Sequence, residues 1–249
     1  MSATDQDIFA QYADEWWQEA GAFSPLHRLN PVRLSCIKQQ LCAHFHRDID
    51  DLHALAGLSI LDAGCGGGLI SEPLARLGAA VTGIDRDVGT IGYAREHAEQ
   101  QGLDIDYQIS ELQALSTNTG YDVVLALELI EHVEDQCGFV RQLSGLCAPG
   151  GLVIVSTLNK TWQSWLLGIV GAEYVLRWVP QGTHDWQYFL RPSQCGQYMR
   201  QNNLTPKDIK GFFFNALKGE FEISDKDMKI NYIITAQKES QSSGVRHTT

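Results

Sequence analysis

The chain has 249 residues, 44% of them hydrophobic, which is enough for one sizeable buried core. Its formal charge of -11 excludes a general nucleic-acid binder, which would need clustered Lys and Arg to neutralise phosphates. The six cysteines, Cys36, Cys42, Cys65, Cys137, Cys147 and Cys195, include no C-x-x-C pair, so free thiols in a reducing compartment are expected rather than a disulfide framework or a zinc site.

In chain order, the opening MSATDQDIFA is acidic where a secretory signal would be basic and then apolar, and it lacks the arginines of a transit peptide. A cytoplasmic location, that of the bacterial cytosol, is expected. Ile8, Phe9, Tyr12 and Trp16 recur at helical spacing, and residues 1–57 read as a helical cap. From Leu58 onward short apolar runs alternate with helical patterns: LSILDAG, LISEPLARLG, AVTGID, a helix ending EHAEQQG, IDYQIS, YDVVLAL, a helix toward Leu146, and GLVIVST. Such alternation predicts a doubly wound α/β fold with a mostly parallel sheet, and Gly57, Gly78, Gly102 and the Pro149-Gly150-Gly151 turn punctuate it.

After Ser156 the alternation breaks into aromatic-rich sequence, and 158–190 is expected to be an insertion or lid following the fifth strand. Trp162, Trp165, Leu166, Ile169, Val170, Tyr174, Trp178 and Val179 make a helix apolar around most of its circumference, suited to burial or to a lipid surface. Its longest apolar run, WLLGIVGAEYVLRWV, falls short of the roughly 20 residues that a membrane span needs and carries Glu173 and Arg177. Further on, RPSQCGQYMRQNN reads as a helix, and DIKGFFFN and NYIITAQKE read as strands. Residues 1–239 are thus expected to form one domain, followed by a disordered tail over 240–249.

The turn LDAGCGGGLI joins the first strand to the first helix of the alternation, with Asp62, Gly64, Gly66 and Gly68 at alternate positions. Glycines let backbone approach a ligand closely, and the helix start beyond them offers unpaired N–H groups. Asp85 ends the next strand 21 positions after Gly64, where the ribose of a nucleotide-like cofactor needs an acceptor. A nicotinamide fingerprint would want glycine at position 69, where Leu69 stands. Cys65 has no basic neighbour and reads as a small packing residue.

D-x-G-x-G-x-G with the later acid resembles the S-adenosylmethionine site of class I methyltransferases. With FAQYADEWW, PLHRLNPVR, LELIEHV, STLN and VGAEYVLRWVPQGTHDW, the chain resembles the ubiquinone-biosynthesis O-methyltransferases from about Phe9 to about Glu239. The resemblance implies S-adenosylmethionine as cofactor, with Arg33, Gly64, Asp85 and Leu127 lining its pocket and Arg33 paired to its carboxylate. It implies polyprenyl phenols or catechols as substrates, peripheral contact with membrane lipid at the inner membrane face, and association with other enzymes of ubiquinone biosynthesis.

LELIEHV carries the reaction chemistry. If a helix starts near Glu128, then Glu128, Glu131 and His132 share one face at i, i+3 and i+4. Methyl transfer to a phenol of pKa roughly 10 needs a proton acceptor. Either His132 acts as general base, or Glu128, Glu131 and His132 hold Mg²⁺ or another divalent cation that acidifies the ring hydroxyl. His184 and Asp185 of GTHDW are expected to orient substrate or to hold a turn. The rival readings are a nicotinamide oxidoreductase and a non-catalytic cofactor-binding scaffold, and the scaffold would tolerate loss of Glu131 and His132.

Overall fold

A computed structural model describes residues 15–18, 23–117, 120–161, 188–215 and 217–240. Helix α1 (Ser24–His44) leads into β1 (Ser59–Ala63), α2 (Ser71–Arg76), β2 (Ala80–Asp85), α3 (Val88–Gln100), β3 (Asp106–Ile109) and β4 (Tyr121–Leu127). Then come α4 (Gln136–Leu146), β5 (Cys147–Leu158), α5 (Pro192–Gln201), β6 (Leu204–Asn215), β7 (Glu220–Ser224) and β8 (Asn231–Lys238). Together they form the mixed, mostly parallel α/β sandwich that the alternation predicts.

The eight strands lie in the order β3-β2-β1-β4-β5-β8-β6-β7. From β3 to β5 every pair is parallel; β8, β6 and β7 join antiparallel. Alternate residues of each central strand enter opposite cores. Val123 and Leu125 pack with Ile37 and Leu41 of α1, whereas Val124 and Ala126 pack with Val140 and Leu143 of α4. A strand buried on both faces must be apolar throughout, which is why YDVVLAL has no polar alternation.

Three local features depart from the sequence reading. Strand β5 begins at Cys147 and runs through the expected Pro149-Gly150-Gly151 turn, because Gly150 at φ 83° lets the register shift between Tyr121 and Val123 without ending the pairing. Strand β7 is an additional strand, making a hairpin with β6. No helix starts at Glu128: a short 3₁₀ turn spans Ile130–His132, Val133 is extended, and α4 starts only where the Asp135 side chain accepts from Gly138 N–H.

The stripe from Ile8 to Tyr12, most of the insertion with His184 and Asp185, and the tail beyond Ser240 lie outside the described residues. The far end of the insertion is anchored at its return. Gln136 Nε2 donates to Tyr188 O at 2.6 Å, and the buried Tyr232 hydroxyl donates to Leu190 O at 3.1 Å. Among the described residues no helix is long and apolar enough to cross a membrane.

Candidate active site

The glycine loop leaves β1 at the carboxyl edge of the sheet, and Gly64, Gly66 and Gly68 all take positive φ, at 73°, 53° and 86°. Gly64 N–H donates to Ile84 O of the neighbouring strand at 2.8 Å, so the turn is fastened to β2 as it leaves β1. A side chain at Gly66 or Gly67 would run into the ring of Trp16, which lies against the loop. Close packing of backbone against a flat ring is what these glycines permit.

Two buried acids flank the loop. Asp62 is 2% exposed, accepts from Ser71 Oγ at 2.6 Å, and burial pushes its pKa up to about 6 against the weaker opposing effect of that hydrogen bond. Asp85 accepts from Gly66 N–H at 3.2 Å and from Asp87 N–H at 3.0 Å. Burial raises its pKa and those backbone donors counter the rise. Its carboxylate therefore fixes the loop and keeps lone pairs for a ligand. Cys65 is buried with a thiol pushed well up by burial, in keeping with a packing role.

At the end of β4 the chain turns sharply. Glu128 adopts φ 52°, a left-handed conformation that costs a non-glycine residue roughly 1–2 kcal/mol. Tertiary contacts hold it there. Arg33 Nη2 donates to Glu128 Oε1 at 2.6 Å, Ser156 Oγ donates to the same oxygen at 2.8 Å, and Glu128 N–H donates to Ser156 O at 3.0 Å. Arg33 is 3% exposed in the middle of α1, and its other terminal nitrogen donates to Asn30 Oδ1 at 3.1 Å.

Glu131 is buried beside this pair, with Oε2 accepting from Thr157 Oγ1 at 2.8 Å and Oε1 without a partner among the described residues. Burial first, and the Glu128 charge second, raise its pKa well above the usual carboxylate range. Leu127 ends its strand half-buried, and Leu129 side-chain carbons stand 3.1 Å from where a Cβ on Gly64 would lie. Loop, acids and apolar walls thus meet at one edge.

A methyltransferase-domain family matches residues 34–206. The chain is 47% identical over 226 residues to a ubiquinone biosynthesis O-methyltransferase of Ruegeria pomeroyi, covering 90% of this chain and 91% of that protein. It is 44% identical over 235 residues to the protein of the same name in Paramagnetospirillum magneticum, covering 94% of each. The chain belongs to the ubiquinone biosynthesis O-methyltransferase family. A crystal structure of magnesium protoporphyrin IX methyltransferase from Synechocystis with bound SAH superposes with a TM-score of 0.67 at 20% identity, over 94% of this chain and 98% of that one. The [4+2]-cyclase SpnF shares the fold at a TM-score of 0.57 and 16% identity, covering 83% of this chain and 82% of that one, so the fold alone does not name the reaction.

For this member of the ubiquinone biosynthesis O-methyltransferase family, the structure gathers Arg33, Asp62, Gly64, Gly66, Asp85, Leu127, Glu128 and Glu131 along the carboxyl edge of the sheet. It corrects one grouping. Among the described residues no cluster of three His, Cys, Asp or Glu side chains is arranged to hold a metal, so Glu128, Glu131 and His132 do not form the expected ligand set. Without the expected helix the i, i+3, i+4 spacing no longer defines a common face, and Glu128 is already engaged by Arg33 and Ser156. Sequence reasoning gave no role to Ser156 and Thr157. They stand at the apolar end of GLVIVST, and two consecutive buried hydroxyls closing such a run are the signal that polar partners wait there.

Proposed function

We infer that methyl transfer takes place at this carboxyl edge, and that the chain is an S-adenosylmethionine-dependent O-methyltransferase of ubiquinone biosynthesis. One observation carries the placement: the glycine loop and the Arg33–Glu128–Glu131 cluster occupy the same end of adjacent parallel strands, where open α/β sheets bind ligands. The residues fit the cofactor. Gly64 admits close approach, Asp85 accepts from ribose hydroxyls, Leu127 packs beside the adenosine, and Arg33 offers a buried Nε–H that has no partner among the described residues. S-adenosylmethionine supplies an electrophilic methyl group when bound.

The substrate class follows from the family: a polyprenyl phenol or catechol whose ring hydroxyl must lose a proton. His132 is the base, as the imidazole of the LELIEHV turn, while Glu128 is bound to Arg33. Glu131, bonded to Thr157 and buried beside Glu128, helps to hold the ring in line for transfer. The present arrangement of the described residues does not fit a three-ligand cation site.

Transfer of labelled methyl to a short-chain prenyl catechol tests this. His132→Ala is expected to lower kcat by roughly 10²–10⁴-fold while cofactor binding persists. Full activity of both His132→Ala and Glu131→Ala would overturn these two roles, whereas no transfer by the parent chain despite measurable cofactor binding would favour a non-catalytic scaffold. Activity abolished by chelation and restored by Mg²⁺ would replace the base mechanism, because Glu128 would have to leave Arg33 to become a ligand.

A membrane surface is the partner that such a substrate implies, and the β6–β7 hairpin supports contact with one. Leu127 is level with Ser156, Ser156 with Ile233 and Ile233 with Lys210, while β6 continues five residues further toward the same edge to Asn215. The hairpin tip therefore stands about 16 Å beyond the site at a strand rise of about 3.3 Å per residue. There Leu217 is 99% exposed and Phe214 41% exposed, with the Arg28 guanidinium 4.9 Å from the Phe214 ring and donating to Gly219 O at 2.6 Å. Leu217→Asp is expected to reduce co-sedimentation with phospholipid vesicles by about fivefold or more, with turnover of a soluble short-chain substrate unchanged. Equal co-sedimentation of variant and parent would remove the hairpin from the contact.

A further inference from the structure

We propose that Trp17, His97 and Glu72 form a clasp that fastens the segment around Trp16 onto the glycine loop and so sets the affinity for S-adenosylmethionine. Three elements converge on it. Trp17 precedes α1, His97 lies in the last turn of α3, and Glu72 lies in the first turn of α2, immediately after the loop.

The Trp17 and His97 rings stack at 4.0 Å between centroids with 9° between their planes, and Trp17 Nε1 donates to Gly67 O at 3.0 Å. His97 Nδ1 lies 2.6 Å from Glu72 Oε1, and Glu72 is 1% exposed, with Arg76 Nη2 at 3.6 Å from its other oxygen. A buried carboxylate can only accept, so Nδ1 carries the hydrogen and the imidazole is fixed in both tautomer and plane. That plane is the platform on which the indole lies.

Fixing Trp17 fixes its neighbour. Trp16 stacks on Phe23 at 3.8 Å and 10°, its carbonyl lies 2.8 Å from His27 Nε2, and its ring lies directly against Gly66 and Gly67. The loop that seats the cofactor therefore has a second wall, contributed by residues outside its own motif and held at two points. Every hydrogen bond of the clasp ends on the loop, on a neighbouring helix or on the Trp16 backbone. Trp17, His97 and Glu72 act on the loop and its cover, so they are positioning residues. A lost clasp leaves the loop intact but its cover unfixed, and the cost falls on cofactor binding.

The inference rests on the reading of the glycine loop as the cofactor seat, and the test separates the two. His97→Ala is expected to raise KM for S-adenosylmethionine about tenfold, with kcat at saturating cofactor within about twofold, and to weaken calorimetric binding of S-adenosylhomocysteine in parallel. Trp17→Phe keeps the stack and loses the N–H, so a rise of about threefold is expected; it also carries the test if His97→Ala fails to fold. Asp85→Ala serves as the reference. If it raises KM and the two clasp variants, folded by circular dichroism, do not, the clasp is wrong and the loop reading stands. If none of the three changes KM, the loop reading falls as well. A drop in kcat with KM unchanged in His97→Ala would also overturn the clasp.

Discussion

Arg33→Leu is expected to melt below the parent chain and to lose its hold on S-adenosylmethionine, and adding Glu128→Gln is expected to restore the first loss and leave the second. The two effects have different origins. Arg33 is 3% exposed and is bonded to a carboxylate that is itself only 26% exposed, next to the buried Glu131. Removing the guanidinium leaves Glu128 without its partner and poorly solvated, which costs about 2–3 kcal/mol, at or just below the bottom of the range for broken buried pairs because Glu128 keeps some water contact. In a chain of this size that corresponds to a fall of roughly 5–10 °C in Tm.

Glutamine at position 128 removes the stranded charge, and its amide oxygen still accepts from Ser156 Oγ. Cofactor affinity does not return, because no group replaces the Arg33 donors. Differential scanning fluorimetry with and without S-adenosylhomocysteine separates the two effects. A double variant as unstable as Arg33→Leu alone would show that packing of the arginine stem, rather than the charge pair, is what matters.

Asp62→Asn is expected to gain stability relative to the parent as pH rises from about 4 to above 6. The sign follows from linkage. Burial raises the Asp62 pKa from 3.8 to about 6, so between those values the folded chain binds more protons than the unfolded one. A carboxyl group raised in this way costs nothing below its unfolded pKa and exacts its full cost above its folded pKa. The cost is about 3 kcal/mol for a shift of about two pKa units. The substitution removes that cost, and the asparagine oxygen can still accept from Ser71 Oγ. Urea midpoints of both proteins between pH 4.5 and 8 report the difference. Parallel curves would show that Asp62 is solvated in the folded chain.

Sequence made most of this architecture legible because physics leaves strong local marks on it. Strands β1, β2, β4 and β5 read as apolar runs because two cores bury both their faces. The loop glycines read as a ligand seat because positive φ is costly for other residues. Strand β7 escaped notice because EFEIS is short and half-buried and borders only β6. The LELIEHV turn misled because i, i+3, i+4 spacing fits a helix, while the left-handed Glu128 is imposed by Arg33, 95 positions away in sequence. Local pattern carries no trace of such a partner. The clasp is hidden for the same reason, since Trp17 and Gly67 are 50 positions apart.

The strand order also constrains how the chain acquires its structure. β8 lies between β5 and β6, although β6 and β7 precede it in sequence. Until residues 231–238 have left the ribosome, the open edge of β5, with its run from Leu152 to Leu158, stays unpaired, and the β6–β7 hairpin has no sheet to join. The parallel half can condense early, but closure waits for one late insertion between two waiting edges. That long-range step is the slow and aggregation-exposed part of folding.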